Sequence, residues 1–522
     1  MNALCAALRR NDPDTTEIPN FYLSDPTGRR LGEALQGNHY VSFMDLIMSD
    51  WLDVNEDGTA DSIVLLLRYI RESEAMRKVV LREFRGAHLE LIAPLVPLFL
   101  LAIAENPCII ELNLDWIQME EFPECLSLFL RRTRSLKTLR IKLGLFDEPA
   151  SCELVAEAFG VNRTLETLTF QENSDTGTME SILLRMGSHH PLRELALYCG
   201  RAASVAEIHA LASFLRSTTS LEHLNLHAYV FDKERMEHLV EGLHSNQSLT
   251  KLALQHCRSN LEATKVFRTF MQSCEKRSSI RELCFGHPND ALFGFRGHPD
   301  DMFKVFPDGA MLASILTLPD ENPGTGSSIG SSLQVLYLHN DFAGFCDTLA
   351  ANASRIRLPC LRISDVMGYA HWGVLIRCLP KLVHLKELEA RTDYGPDYGP
   401  DFLDYISHYF IPALRANGSL QRVIFTPADS LDEAESCLIQ SICKRNEVIP
   451  IFVAKVRLDN GDDDDDKTNL SLLPTIFKSA KQALRTAPNS MLIALLDAGD
   501  SIGPRGGIKR PHQHSRCIAR KW

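Results

Sequence analysis

One spacing recurs along the chain: an aliphatic residue, two variable positions, a second aliphatic, one variable position and a third aliphatic. It stands at Ile109-Leu112-Leu114, Leu136-Leu139-Ile141, Leu165-Leu168-Phe170, Leu192-Leu195-Leu197, Leu221-Leu224-Leu226, Leu249-Leu252-Leu254 and Ile280-Leu283-Phe285. It returns at Leu333-Leu336-Leu338, Leu358-Leu361-Ile363, Leu385-Leu388-Ala390 and Leu420-Val423-Phe425, and a weaker copy occupies Met76-Val79-Leu81. The last two aliphatics flank a single variable residue, which is the period of a β-strand. From Ile109 to Leu249 successive copies are 27, 29, 27, 29 and 28 residues apart. Each unit also holds a stretch with apolar residues at helical spacing, as in Phe122 to Arg132, Ala206 to Arg216 and Met236 to His244. Polar phrases, NRTL, TTSL, NQSL, RSSI and NGSL, lead from helix into the next strand.

A single strand–helix unit cannot bury its apolar face, so the units are expected to stack and align their aliphatics into one core. The predicted fold is an α/β solenoid, a horseshoe with a parallel sheet on the concave side and helices on the convex side. The predicted organisation is an N-terminal segment with a helical cap over 1–74, the repeats over 75–448 and an α/β C-terminal cap over 449–502. A basic, disordered tail is expected over 503–522 and an excursion from the repeats at about 286–332. Residues 38–72 read as two amphipathic helices. One carries Val41, Phe43, Met44, Ile47, Trp51 and Leu52, and the other Ile63, Leu66, Leu67 and Ile70. Toward the other end, Leu431 to Lys444 reads as a helix, Ile449 to Val456 as a strand and Leu472 to Arg485 as a half-buried helix.

The period and the aliphatic spacing resemble those of the leucine-rich repeat family. The period and the helical halves resemble its ribonuclease-inhibitor-like subclass. The resemblance covers about Met76 to Val448. The chain departs from the family pattern in one respect. Three residues past the third aliphatic, where the family has Asn or Cys, stand Asn173 and Cys257 but also Ile117, Gly144, Gly200, Tyr229, Pro288 and Asp341. The turns there need other hydrogen-bond partners.

Composition narrows the function. The 522 residues are 45% hydrophobic and 23% charged, which fits a globular chain and excludes collagen and coiled coil. With 55 basic against 67 acidic residues the net charge is −12, poorly suited to general nucleic-acid binding. The fourteen cysteines form no C-x-x-C pair, and the opening MNALCAALRRNDPD has no apolar signal region. Reduced thiols and a cytoplasmic location are expected, with Lys509-Arg510-Pro511 as a candidate nuclear address. The most apolar stretch, Leu91 to Ala104, is too short to span a membrane and reads as a buried helix. The N-x-[ST] triplets at Asn162, Asn246, Asn352, Asn417 and Asn469 therefore carry no glycan argument.

Candidate chemistry is sparse. Asp53 to Asp61 begins like a calcium loop, but the twelfth position is Val64 in place of a bidentate Glu, so a polar turn is expected. His287, Asp290, His298 and Asp300 sit in Pro-containing phrases and read as turns. The tandem DYGPDYGPD at 393–401 and the acidic run at 461–467 read as surface loops. No Gly-Lys dipeptide, G-x-S-x-G or H-E-x-x-H occurs. No cofactor, metal or catalytic residue is assigned, and the chain is expected not to be an enzyme.

The expectation is an interaction scaffold that binds a protein partner through the variable strand positions of its concave face. The candidate contacts are Glu111, Asn113, Asp115, Arg140, Lys142, Tyr198, His223, Asn225, His227, Lys251, Gln255, Tyr337, His339 and Arg362. Mixed charge with aromatic and Arg anchors suits a protein surface. Two alternatives have the same repeats. One is a regulator of a small GTPase, on resemblance to the Ran GTPase-activating family. The other is a substrate receptor of a ubiquitin ligase, which requires a separate adaptor-binding module at the N-terminus. The identity of the partner and the oligomeric state are not readable from the sequence.

Overall fold

A computed structural model describes residues 2–48, 61–83, 95–117, 122–143, 149–172, 177–199, 203–273, 279–286, 304–305, 333–339, 342–364, 369–391 and 406–426 apart from Ser24 and His189, with Leu312, Leu316 and Ile439. The chain divides into two compact units, Met1–Asp308 and Gly309–Trp522, and the boundary falls within the expected excursion at 286–332. Residues 53–60 of the possible calcium loop, the twin His-Pro phrases, the tandem at 393–401 and the acidic run at 461–467 lie outside the described residues. So do the C-terminal cap, the basic tail and the elements expected after 430, Ile439 excepted.

The strands of the first unit are β1 (Glu17–Leu23), β2 (Phe43–Met48), β3 (Lys78–Glu83), β4 (Glu111–Ile117), β5 (Thr138–Leu143), β6 (Thr167–Glu172), β7 (Glu194–Cys199), β8 (His223–His227), β9 (Val230–Phe231), β10 (Lys251–Gln255), β11 (Arg258–Ser259), β12 (Glu282–Gly286) and β13 (Lys304–Val305). Ten of them, all but β9, β11 and β13, form one parallel sheet in chain order. The helices between them are α1 (Asn2–Arg9), α2 (Asp25–Leu35), α3 (Asp61–Glu72), α4 (Leu95–Glu105), α5 (Phe122–Arg132), α6 (Pro149–Val161), α7 (Thr178–Met186), α8 (Val205–Ser217), α9 (Lys233–Ser245) and α10 (Leu261–Ser273). The second unit repeats the plan with parallel strands β14 (Val335–His339), β15 (Cys360–Ser364), β16 (Glu387–Arg391) and β17 (Arg422–Thr426) and helices α11 (Phe342–Asn352), α12 (Tyr369–Cys378) and α13 (Ile411–Ala416).

The aliphatic pattern is the register of the sheet. Leu112, Leu139, Leu168, Leu195, Leu224, Leu252 and Leu283 are successive Cα partners, and Leu114, Ile141, Phe170, Leu197, Leu226, Leu254 and Phe285 form a second such row. All of them are buried under the helices. The apolar stretch expected to be a buried helix is α4, whose Leu95, Val96, Phe99, Leu100, Ala102 and Ile103 are buried. Among the described residues no helix is long and apolar enough to cross a membrane.

The N-terminal segment differs from its expected form. Phe43 to Met48 is strand β2, not part of a helix, and β1 precedes it, so the sheet begins two strands earlier than the weak copy at Met76. The run FMDLIM is apolar enough to satisfy either period, and pairing with β3 decides for the strand. The expected second helix is α3, with Ile63, Leu66 and Ile70 buried.

After the strand, Cys257 donates from Sγ to the Leu226 carbonyl one repeat back, and a further set of turn hydrogen bonds lies before the strand. Asn38, Asn106, Asn162, Asn246 and Asn417 each stand three residues ahead of a first aliphatic position and are buried. Asn246 is 3% exposed; its Nδ2 donates to the carbonyls of Leu215 and Thr218 in the preceding repeat. Its Oδ1 accepts the backbone N–H groups of Ser248 and Leu249 in its own repeat. Asn417 repeats this on Leu379 and Leu382 and on Ser419 and Leu420, and Asn162 on Leu130 and on Thr164 and Leu165. Asn106 reaches Ile70 and Ser73, and Asn38 reaches Leu8. The next polar residue adds a second rung: Ser220, Ser248, Ser279 and Ser419 donate from Oγ to a carbonyl one repeat back.

This gives the N-x-[ST] triplets at Asn162, Asn246 and Asn417 a structural role. Their Nδ2 atoms are buried donors, so a glycan there would require the turn to open. Replacement of Asn246 strands two carbonyls and two N–H groups, each costing about 1–3 kcal/mol when left unsatisfied, less what water recovers. Asn246→Ala is therefore expected to lower stability by roughly 2–4 kcal/mol. Urea unfolding followed by circular dichroism measures this, and an unchanged midpoint would contradict it.

Candidate functional site

The face of the sheet opposite the helices carries the variable strand positions, and pairing sorts them into three rows in the first unit. One row runs Lys78, Glu111, Thr138, Thr167, Glu194, His223, Lys251 and Glu282. The middle row runs Asp45, Val80, Asn113, Arg140, Thr169, Ala196, Asn225, Ala253 and Cys284. The third runs Arg82, Asp115, Lys142, Gln171, Tyr198, His227 and Gln255. Eleven of the fourteen expected contact residues thus share one face in consecutive register. Tyr337 and Arg362 are Cα partners in the second unit, where Arg362 lies 3.2 Å from Glu389. His339 ends β14, and its side chain is outside the described part.

The charges at the N-terminal end of this face neutralise one another. Lys78 meets Glu111 at 2.9 Å. Arg82 joins Asp45 at 2.9 Å and Asp115 at 3.7 Å, and Lys142 lies 3.8 Å from the other oxygen of Asp115. Asp45 is almost enclosed, and burial raises its pKa while the Arg82 guanidinium opposes the rise. Asp45 and Arg82 belong to this network although neither was among the expected contacts; the register of Met76-Val79-Leu81 with the later repeats was the signal that placed Arg82 beside Asp115.

A stack of aromatic rings closes part of the third row. Tyr198 and His227 have ring centroids 4.6 Å apart, and His227 and His256 are 4.4 Å apart. His256 sits just past β10 in a left-handed turn, with φ 56°, and its N–H donates to the Gly286 carbonyl; Ala228 takes the same conformation past β8 and donates to Gln255. His227 is only 6% exposed, so it supports the face rather than offering a contact. Burial, then the neighbouring His256, lowers its pKa to about 3. His190, also buried, is lowered to about 4 by burial and then by Arg163.

A recess of about 660 Å³ opens elsewhere, beside the end of α2 and along α3, and is lined by Asn38, His39, Arg68, Tyr69, Glu72 and Ser73 among others. Among the described residues no cluster of three or more His, Cys, Asp or Glu side chains is placed to hold a metal ion. None of the ten described cysteines is in a disulfide. Burial raises the thiols of Cys257 to about 12 and of Cys284 to about 11, which leaves both protonated and unreactive at neutral pH. No protein-family model matches the chain, and no curated protein matches it.

The two lowered histidines set a pH dependence. Their folded pKa values lie below the ordinary 6.5, so the unfolded chain binds protons first as the pH falls. The associated stability is complete above pH 6.5 and is lost progressively toward pH 4 for His190 and pH 3 for His227. Between pH 7 and pH 5 each is expected to cost about 2 kcal/mol. Urea midpoints at the two pH values test this. His227→Phe, which keeps the ring stack without a titrating group, is expected to lose less stability on acidification than the wild type; an equal loss would contradict the assignment.

Proposed function

We propose that the chain is a non-enzymatic leucine-rich-repeat protein whose helix-free face binds a protein partner. The reading is supported by one observation above others. Both ends of the face in the first unit pair their charges within the chain, while in the middle strands, β5 to β8, Arg140, Glu194 and His223 have no ion-pair partner among the described residues and the amide oxygen of Asn225 accepts no hydrogen bond. A surface of that kind, firmly registered and polar with aromatic support from Tyr198, suits recognition of another polypeptide. The rigid ladder beneath lets it bind with little reorganisation. A cytoplasmic or nuclear setting, where thiols stay reduced, accords with cysteines built into the core.

Photo-crosslinking tests the face directly. A benzoylphenylalanine residue in place of Thr169, on the middle row, is expected to capture a discrete protein in the native cell. The same residue in place of Arg132, on helix α5, is expected not to capture it. Capture only from position 132, or equally from both, would contradict the proposal.

A further inference from the structure

The middle row is chemically one-sided where it is unoccupied. Asn113, Arg140, Thr169, Ala196 and Asn225 are consecutive Cα partners from β4 to β8. The amide oxygens of Asn113 and Asn225 are covered and accept no hydrogen bond, so their NH₂ groups are what the two side chains present. Arg140 is exposed and, among the described residues, has no ion-pair partner. Lys142, two positions along the same strand, is half-exposed and only loosely held by Asp115 at 3.8 Å. Two amide donors therefore flank a free guanidinium, with a second cation beside it and no competing carboxylate in the row between β4 and β8. Thr169 and Ala196 are short, so they leave room for a chain to lie along the row.

From this we infer the chemistry of the partner: an acidic, extended segment of another protein, laid across β4 to β8 with a carboxylate on Arg140. The inference rests on the proposed function above and adds the class of ligand to it. Four strand spacings separate Asn113 from Asn225, about 19 Å, which an extended segment of about six residues spans. Arginine matches a carboxylate with two parallel hydrogen bonds, and the amide groups on either side match backbone carbonyls. Glu194, in the neighbouring row on β7 and also without an ion-pair partner among the described residues, repels a second acid at that place and so orients the segment. Nucleic acid is a poorer complement, because a phosphate backbone is held by several cations and this row offers Arg140 with Lys142 at its side.

The test uses the full chain and a fluorescent hexaglutamate peptide, read by anisotropy at low salt. Hexalysine and a single-stranded oligothymidylate of equal charge are the comparison probes. Saturable hexaglutamate binding is expected, weakened roughly tenfold or more by Arg140→Glu and less by Arg140→Gln. Arg132→Glu on the helical side is expected to leave it unchanged. Because Arg140 is exposed and unpaired, both variants are expected to melt with the wild type, which separates lost binding from lost folding. The inference is overturned if hexaglutamate does not bind, if Arg140→Glu leaves its binding unchanged, or if the oligothymidylate binds as tightly with the same Arg140 dependence. In each of those cases a protein crosslinked from position 169 would still leave the broader proposal standing, whereas failure of that crosslink would remove both.

Discussion

Each buried asparagine at the entrance to a strand joins two repeats. Asn246 gives its two hydrogens to carbonyls at the end of helix α8 and its oxygen accepts the amides of Ser248 and Leu249 in the turn that leads into β10. The carbonyls at a helix end have no partners within the helix, and a buried one must find another. The asparagine supplies it and in the same step fixes where the next strand begins. Every later feature depends on that placement, because a slip of one residue would turn the leucine rows outward and the polar rows inward. Thr133 and Thr218 occupy the same position in two repeats, where the shorter side chain cannot reach as far. The array therefore contains junctions tied by asparagine and junctions closed by a shorter side chain.

Much of this was legible in the sequence, and the exceptions have physical causes. The aliphatic triplets gave the register of eight or more strands because a half-buried strand needs that alternation and nothing else in the chain imitates it. The phrases NRTL, NQSL and NGSL were visible as punctuation, but their first residues look like ordinary turn formers until the preceding helix end is seen beside them. β1 and β2 escaped because one contains Pro19 and a left-handed Asn20, and the other is apolar at nearly every position. Their identity is set by pairing, of β2 with β3 and of β1 with β2, which is not local information.

The helix-free face of the sheet shows the same division. Alternation along each strand was enough to place Glu111, Asn113, Asp115, Arg140 and Lys142 on one side. Which of them are already engaged was not readable, because Arg82, Asp115 and Lys142 meet across strands separated by about thirty residues of sequence. His227 looked like a contact residue by position and is instead enclosed, since the ring that covers it comes from a turn beyond the next strand. What remains after these internal pairings is the donor row around Arg140, and the proposed function rests on that remainder.

Hydrogen–deuterium exchange at single-residue resolution tests the central role of the asparagine ladder most directly. The amides of Leu165, Leu249 and Leu420 lie in turns, outside the strands, yet donate to Asn162, Asn246 and Asn417. They are expected to exchange as slowly as the amides of the strands that follow them, and in Asn246→Ala the protection of Leu249 is expected to fall together with that of β10. Exchange of these three amides at the rate of open loops, with the strands still protected, would contradict the account.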